Sequence, residues 1–263
     1  MTVLQPLTTG QLLDRVFTLY RQNFLLFFLI AAVPQAVLML MMAGGAVVAG
    51  AAPIAAVGMV VVGLLLYLGT LGLSQGATTI AVSEVYLGRP ITAAEAFRRI
   101  APRTLVLVGT MIGVSLLVGM GLILLIVPGI YFLVTYSLAL TVVAIEKVSF
   151  SEAMSRSSDL VKGNRGRVAV IYFLSLVATY VIAFALAFPA GMAAAVLQES
   201  MPVVSAILQM AGQVVSSALA TPIGLIGFTL AYYDARVRKE AFDLHLMMDS
   251  ATPAQNPAAT ASV

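Results

Sequence analysis

The chain has 263 residues, of which 61% are hydrophobic and 10% are charged, and its mean hydropathy is +1.04. This composition excludes an ordinary soluble globular domain, in which about a quarter of the residues are charged. The absence of cysteine excludes disulfides, thiolate metal sites and cysteine nucleophiles. The formal net charge of +3 comes from basic residues in short loops between apolar segments, so membrane topology explains it better than nucleic-acid binding.

Six apolar segments are predicted to cross a bilayer, which takes about 20 helical residues each. They cover residues 24–48, 54–84, 104–126, 130–146, 168–197 and 203–233. The turn between the third and fourth spans is predicted at Pro128-Gly129, and Pro34, Pro189 and Pro222 are expected to bend or interrupt their spans. Residues 1–248 form one membrane domain in this interpretation, and residues 249–263 form a disordered tail without core-forming side chains.

A polar segment of similar form precedes each pair of spans. Three such segments have the spacing of a helix-capping box: Thr8-x-x-Gln11, Thr92-x-x-Glu95 and Ser149-x-x-Glu152. An arginine follows four residues after the last residue of each box, where it is expected to meet that side chain on one helix face: Arg15, Arg99 and Arg156. The apolar residues Leu13, Phe97 and Met154 stand at equivalent places and give each helix an apolar side, which is typical of helices in the membrane interface.

These three boxes indicate an internal repeat. The predicted fold is therefore all-α, a polytopic membrane protein with six transmembrane helices arranged as three hairpins, each preceded by a cytoplasmic interfacial amphipathic helix. A looser fourth copy after Asp234 predicts a final surface helix that extends to about Met248.

The positions of the basic residues predict the topology. Every Lys and Arg lies in the N-terminal segment, in the loops after the second and fourth spans, or in the C-terminal segment. By the positive-inside rule these parts are cytoplasmic, so both termini are predicted to lie in the cytoplasm.

Three acids end the even-numbered spans: Glu84, Glu146 and Asp234. They could form a ring of carboxylates at a pore mouth or pair with neighbouring arginines, and we favour the pairing. Candidate contacts to the membrane surface or to a partner are Arg15, Arg98, Arg99, Arg156, Arg236, Arg238 and Lys239. Candidate intramembrane polar residues, expected to be buried and to join helices by hydrogen bonds, are Gln35, Gln75, Gln209 and Gln213.

Several segments resemble the membrane domain that is fused to some bacterial glycerophosphoryl diester phosphodiesterases. They are Pro128-Gly129-Ile130-Tyr131-Phe132, Ser151-Glu152-Ala153 with Leu160-Val161-Lys162-Gly163-Asn164, and Tyr232-Tyr233-Asp234 with Arg236-Val237-Arg238-Lys239-Glu240 and Phe242-Asp243-Leu244. The resemblance implies a stand-alone six-span protein of the bacterial inner membrane. The enzymes of that family carry their catalytic residues on a separate soluble barrel, and nothing of that size fits in this sequence, so the activity is not carried over.

Three functional hypotheses remain open. The favoured one is a non-enzymatic inner-membrane protein that organises lipid or partner proteins at the cytoplasmic face, with anionic headgroups, a protein partner or a second copy of the chain as its contacts. The alternative is a transporter or permease for a small solute or lipid, since interrupted spans in a repeat are typical of transporters. A lipid-modifying enzyme ranks last, because the sequence offers no catalytic set, metal cluster or cofactor motif.

Overall fold

The computed structural model describes residues 8–49 and 52–240. Within these residues the chain is helical throughout, without strands. The helices are α1 (Thr9–Gln22), α2 (Phe24–Ala49), α3 (Pro53–Tyr86), α4 (Ala93–Ile100), α5 (Thr104–Leu124), α6 (Ile126–Thr135), α7 (Ala139–Glu146), α8 (Phe150–Val161), α9 (Arg165–Leu197) and α10 (Pro202–Glu240). A single 3-10 turn, Ala101–Arg103, joins α4 to α5.

Six stretches of the described chain are long and apolar enough to cross a membrane, with mean hydropathies between 1.8 and 2.5. The chain is therefore a multi-pass membrane protein, and the predicted number of spans is confirmed. Consecutive long helices lie against each other, α2 beside α3, α5 beside α6, and α9 beside α10. α10 also contacts α2 and α3, so the last span packs against the first two.

The link between the third and fourth spans differs from the prediction. Leu125 is the linking residue, in an extended conformation, and α6 begins at Ile126. Pro128 and Gly129 thus lie in the first turn of α6, where a proline costs nothing because the N–H groups there have no partner within the helix. Gly129 instead permits close packing, since a Cβ on it would lie 2.7 Å from the backbone nitrogen of Leu122.

The fourth span is also discontinuous. α6 ends at Thr135, α7 begins at Ala139, and Tyr136, Ser137 and Leu138 form a turn between them. The Ser137 hydroxyl donates to the carbonyl of Val134 at 2.8 Å, a local bond that competes with the helical pattern. The hydropathy of the sequence does not predict this break, because the segment is apolar on both sides of it.

The three prolines predicted to bend or interrupt spans lie inside continuous helices: Pro34 in α2, Pro189 in α9 and Pro222 in α10. Pro222 has no N–H to donate to the Ala218 carbonyl four positions before it. The hydroxyl of Tyr20 in α1 donates to the neighbouring Leu219 carbonyl at 2.7 Å. The first described helix is thereby joined to the last.

α10 continues without a break to Glu240, so the segment from Asp234 to Glu240 belongs to the last long helix. The predicted fourth surface helix was expected to begin separately there, and its remainder up to Met248 lies outside the described residues. The predicted tail, residues 249–263, lies outside them as well.

The short helices bury their apolar stripes in the protein. α1 buries Leu12, Val16 and Leu19, and the helix that it contacts most is α10. α4 and α8 bury the equivalent positions, Ala96 and Ile100, and Ala153, Ser157, Leu160 and Val161. Leu13, Phe97 and Met154, which were expected to form the apolar sides of these helices, are only half-buried. In each helix the residue just before it, four positions after the cap, is fully buried.

Glycines set the approach of α3 to its neighbours. A Cβ on Gly76 would lie 2.6 Å from side-chain atoms of Ile100 and Leu107, and one on Gly72 would lie 2.9 Å from Val108. Gly109 of α5 differs, because a Cβ there would meet no atom within 4 Å. Gly72-x-x-x-Gly76 is thus a packing motif, whereas Gly109 faces open space.

Candidate functional site

Charged and phenolic side chains converge where α7, α8 and α10 meet. Arg156 Nε of α8 lies 3.1 Å from Glu146 Oε2 of α7, and Arg156 Nη1 lies 2.5 Å from Glu240 Oε1 of α10. Arg236 Nε is 3.0 Å from Glu240 Oε2, and the Tyr232 hydroxyl donates to Glu146 Oε1 at 2.8 Å. We call these five residues the α10 network. It ties the end of the fourth span to the end of the sixth through α8.

Asp234 of α10 is the centre of a second group of ion pairs. Its side chain is 5% exposed, and its Oδ2 lies 2.8 Å from Arg167 Nε of α9 and 3.0 Å from Arg238 Nε of α10. The neighbouring Tyr233 shares a hydrogen bond of 2.6 Å with Ser83 of α3. Asp234 and Tyr233 therefore join α10 to α9 and α3.

Glu84, at the end of the second span, also pairs with an arginine. Arg99 Nη1 of α4 lies 2.9 Å from Glu84 Oε1, and the other guanidinium nitrogen contacts Glu95. The prediction that each span-ending acid pairs with neighbouring arginines is confirmed. These carboxylates are ion-pair partners within the protein and not a ring of unpaired charges.

Most basic residues predicted to contact membrane or partner serve these internal contacts. Arg99, Arg156, Arg236 and Arg238 form ion pairs with carboxylates of the chain. The Lys239 ammonium donates to backbone carbonyls of Asp159 and Lys162 at the end of α8, where a positive charge suits the helix dipole.

Two other predicted contacts are placed differently. The Arg15 guanidinium carbon lies 5.9 Å from the centroid of the Tyr86 ring, a cation–π arrangement. Arg98 is exposed, and no described carboxylate lies within ion-pair distance of it.

Sequence reasoning missed two further basic residues beside Arg98. Arg89 precedes α4 and is exposed, and Arg103 follows α4 and is half-exposed. Among the described residues neither has a carboxylate within ion-pair distance. We call Arg89, Arg98 and Arg103 the basic edge. Their clustering around one short helix was visible in the sequence, but their freedom from ion pairs was not.

The pairing predicted between Glu152 and Arg156 is wrong, because Glu152 caps α8. The backbone N–H and the hydroxyl of Ser149 donate to Glu152 Oε2 at 2.9 and 2.8 Å. Gln11 caps α1 similarly by accepting from the Thr8 N–H at 2.9 Å. At Thr92 the threonine hydroxyl accepts from the Glu95 N–H, but the Glu95 carboxylate turns to Arg99, so this box is half-formed.

The Glu152 cap predicts a pH dependence. Hydrogen bonds from the backbone N–H and then the hydroxyl of Ser149 lower the pKa of Glu152 below its ordinary value. The cap therefore stabilises the fold above the unfolded-state pKa, and this stabilisation is lost as the pH falls through the folded-state pKa. We expect Glu152→Gln to lower the melting temperature at pH 7 and to have a diminishing effect as the pH falls below about 4.

The measurement is the melting temperature between pH 3 and pH 7 for the parent chain and the variant. Glu199→Gln is the matched control, since Glu199 is exposed in the turn before α10. A Glu152→Gln effect that is constant across this range would contradict the role of the charged cap.

The four predicted intramembrane glutamines have different environments. Gln35 is buried in α2, and Gln75 is half-buried in α3. Gln209 and Gln213 are exposed, which corrects the prediction of buried helix-joining side chains. Both line a cavity of about 240 Å³ between α2 and α10, so no close helix contact covers them.

Gln75 lines a larger cavity, of about 470 Å³, which we call the α5 cavity. Its walls come from α3, α5, α6, the turn before α7, α7 and α9. The polar lining consists of Gln75, Ser115, Tyr136, Ser137 and Tyr172, and the apolar lining includes Met111, Val114, Val118, Leu122, Leu133 and Leu140. No motif in the sequence marks these serines and tyrosines, and their only signal is their place in apolar spans.

The described residues contain no group of three or more His, Asp or Glu side chains placed to hold a metal ion. The arrangement offers ion pairs at one end of the helices and a partly polar cavity between them. Its available chemistry is recognition through charge and hydrogen bonding. Comparison with family models, with curated proteins and with solved structures found no significant match to this chain.

Proposed function

We propose that this chain is a non-enzymatic integral protein of the bacterial cytoplasmic membrane that organises anionic lipid at its cytoplasmic face. In this proposal the six spans form three hairpins, each preceded by a short helix at that face, and both termini are cytoplasmic. Packing of consecutive long helices and the positive-inside distribution support the arrangement. The resemblance to phosphodiesterase membrane domains supports the bacterial membrane.

The basic edge carries the proposal. The span-ending acids are neutralised by Arg99, Arg156, Arg167 and Arg238, and this leaves the exposed or half-exposed guanidinium groups of the basic edge to other anions. A basic side chain near an anionic bilayer surface contributes roughly 1 kcal/mol to lipid attraction. Arg98 lies in α4, and Arg89 and Arg103 lie on either side of that short helix, so the three residues can act on neighbouring headgroups together.

The test is charge reversal at residues that the fold does not use. The triple variant Arg89→Glu, Arg98→Glu, Arg103→Glu is reconstituted in nanodiscs of mixed phosphatidylglycerol and phosphatidylcholine. Native mass spectrometry then counts the lipids that remain bound. We expect phosphatidylglycerol enrichment around the parent chain to disappear in the variant, because attraction becomes repulsion at three positions.

Gln198→Glu with Ser200→Glu is the matched control, since it adds negative charge to the exposed turn at the opposite end of α9. We expect it to leave the enrichment unchanged. Unchanged enrichment in the triple variant would refute the lipid proposal. If lipid enrichment in nanodiscs is unchanged, but the triple variant extracted from its own membrane has lost a stoichiometric protein that the parent chain retains, the basic edge is assigned to a protein partner.

A permease for a small solute or lipid is the second candidate, favoured by the break between α6 and α7 beside the α5 cavity. Discontinuous helices beside a cavity are a recurrent feature of transporter sites. A solute-dependent flux in proteoliposomes that disappears in a cavity-filled variant would move this candidate ahead of the first.

A further inference from the structure

The α5 cavity is open at the side of the helix bundle. Leu122 lines it, yet the Leu122 side chain is 45% exposed, so the cavity reaches the outer surface of α5. α5 itself carries the strongly exposed apolar residues Leu116 and Ile123. A surface of this kind on a spanning helix faces hydrocarbon. An occupant would therefore enter from the bilayer.

Four polar side chains in the cavity make no hydrogen bond to any described residue: the Gln75 amide, the Ser115 hydroxyl, and the Tyr136 and Tyr172 hydroxyls. The fifth, Ser137, donates to Val134 and keeps lone pairs to accept with. Polar groups facing hydrocarbon without a partner are costly. A molecule that brings hydrogen-bonding oxygens into the cavity would remove that cost.

The lining also restricts the charge of the occupant. No charged side chain is among the residues that form the cavity, and the α10 network holds its carboxylates and guanidiniums elsewhere. A phosphate or carboxylate in the cavity would lack a counter-ion in an apolar setting. Met111, Val118 and Leu133 offer contact to an apolar chain.

We propose that the α5 cavity is a binding site for an uncharged lipid of the bilayer, with its hydroxyl or ester oxygens on the four free polar groups and one acyl chain along α5. Its volume of about 470 Å³ suits a headgroup with part of a chain. The proposed binding does not require that the lipid is moved across the membrane. It is also independent of the function proposed for the basic edge.

The probe is a diacylglycerol with a photoactivatable diazirine in one acyl chain, incorporated into phosphatidylcholine vesicles that contain the full chain. After illumination, peptide mass spectrometry locates the labelled residues. We expect label on Met111–Leu122 and Leu133–Leu140, and we expect excess unlabelled dioleoylglycerol to remove it. A phosphatidylglycerol probe with the same acyl chain should not give this saturable labelling, because its phosphate has no counter-ion in the cavity.

Glycine supplies a matched pair of variants on one helix. A Cβ on Gly119, which lines the cavity, would meet no atom within 4 Å, and the same holds for Gly109, which does not line it. Gly119→Phe should lower saturable labelling by about tenfold, since the phenyl group takes the space of the ligand, and Gly109→Phe should leave it unchanged. Tyr172→Phe, which removes only a hydroxyl, should lower it by about fivefold.

Three results would overturn the proposal: labelling that excess dioleoylglycerol does not compete away, equal saturable labelling by the phosphatidylglycerol probe, or equal losses in the Gly119 and Gly109 variants. If Gly119→Phe fails to fold, Tyr172→Phe decides, because the Tyr172 ring stays stacked on Phe228 at a centroid distance of 4.5 Å without its hydroxyl. Unchanged labelling in a folded Tyr172→Phe variant would then count against the hydrogen-bonded headgroup.

Discussion

Replacing Asp234 by alanine is expected to destabilise the protein by about 3 kcal/mol, because breaking a buried ion pair leaves an uncompensated charge. The Asp234 side chain is 5% exposed and is shared by Arg167 and Arg238, which are 24% and 31% exposed. Their partial exposure places the effect at the lower end of the range for buried pairs. The variant also loosens the attachment of α10 to α9.

The measurement is the midpoint of thermal unfolding in detergent, with size-exclusion chromatography reporting the folded protein that remains after heating to each temperature. Tryptophan fluorescence cannot be used, because the chain has no tryptophan. A shift of several degrees is expected for Asp234→Ala. Glu95→Ala is the matched control, because Glu95 and Arg99 form an ion pair with side chains 32% and 43% exposed, and exposed pairs add little stability. Equal shifts in the two variants would contradict the expectation that the buried ion pairs of Asp234 stabilise the protein more than the exposed pair of Glu95.

Adding one methyl group at Gly129 is expected to destabilise the link between α5 and α6 by about 2–3 kcal/mol, the cost of overpacking a close contact. The Cβ would lie 2.7 Å from the Leu122 backbone nitrogen, so side-chain rotation cannot relieve the clash. The reciprocal approach is as close, since a Cβ on Gly121 would lie 2.8 Å from the Gly129 Cα. The helices must separate to accommodate Gly129→Ala.

Gly109→Ala, in the adjacent helix α5, provides the opposite expectation. A Cβ there meets no atom within 4 Å, and alanine favours the helix over glycine by up to about 1 kcal/mol. The same thermal assay should show a lower midpoint for Gly129→Ala and an equal or higher one for Gly109→Ala. A decrease of similar size in both variants would show that Gly129 is not needed for the close packing of α5 against α6.

Local sequence signals predicted the local structure well. Hydropathy predicted six spans because burial in hydrocarbon requires long apolar helices. The spacing of Ser149 and Glu152 predicted a cap, which depends only on one helical turn. The helix link at Leu125 was missed because Pro128 fits equally well in a turn and in the first turn of a helix.

Contacts between distant segments were harder to predict. Arg156 has Glu152 four residues away, yet it pairs with Glu146 and Glu240, because the Ser149 cap engages Glu152 and α10 brings Glu240 into reach. The α5 cavity depends on the separation of helices that are distant in sequence, and no residue in it carries a motif. Hydrophobic periodicity predicts which face of a helix is buried, but it does not predict which other helix packs against that face.

The contact between α1 and α10 has a consequence for the order of synthesis. Tyr20 and Leu219 are 199 positions apart, so the ribosome has made almost the whole described chain before the binding partner of α1 exists. Until then the stripe of Leu12, Val16 and Leu19 lacks its main packing partner. The newly inserted chain would keep this amphipathic helix on the bilayer surface and seat it only when the last span arrives. Assembly of the bundle would therefore be completed only after synthesis of α10, when α1 packs against it.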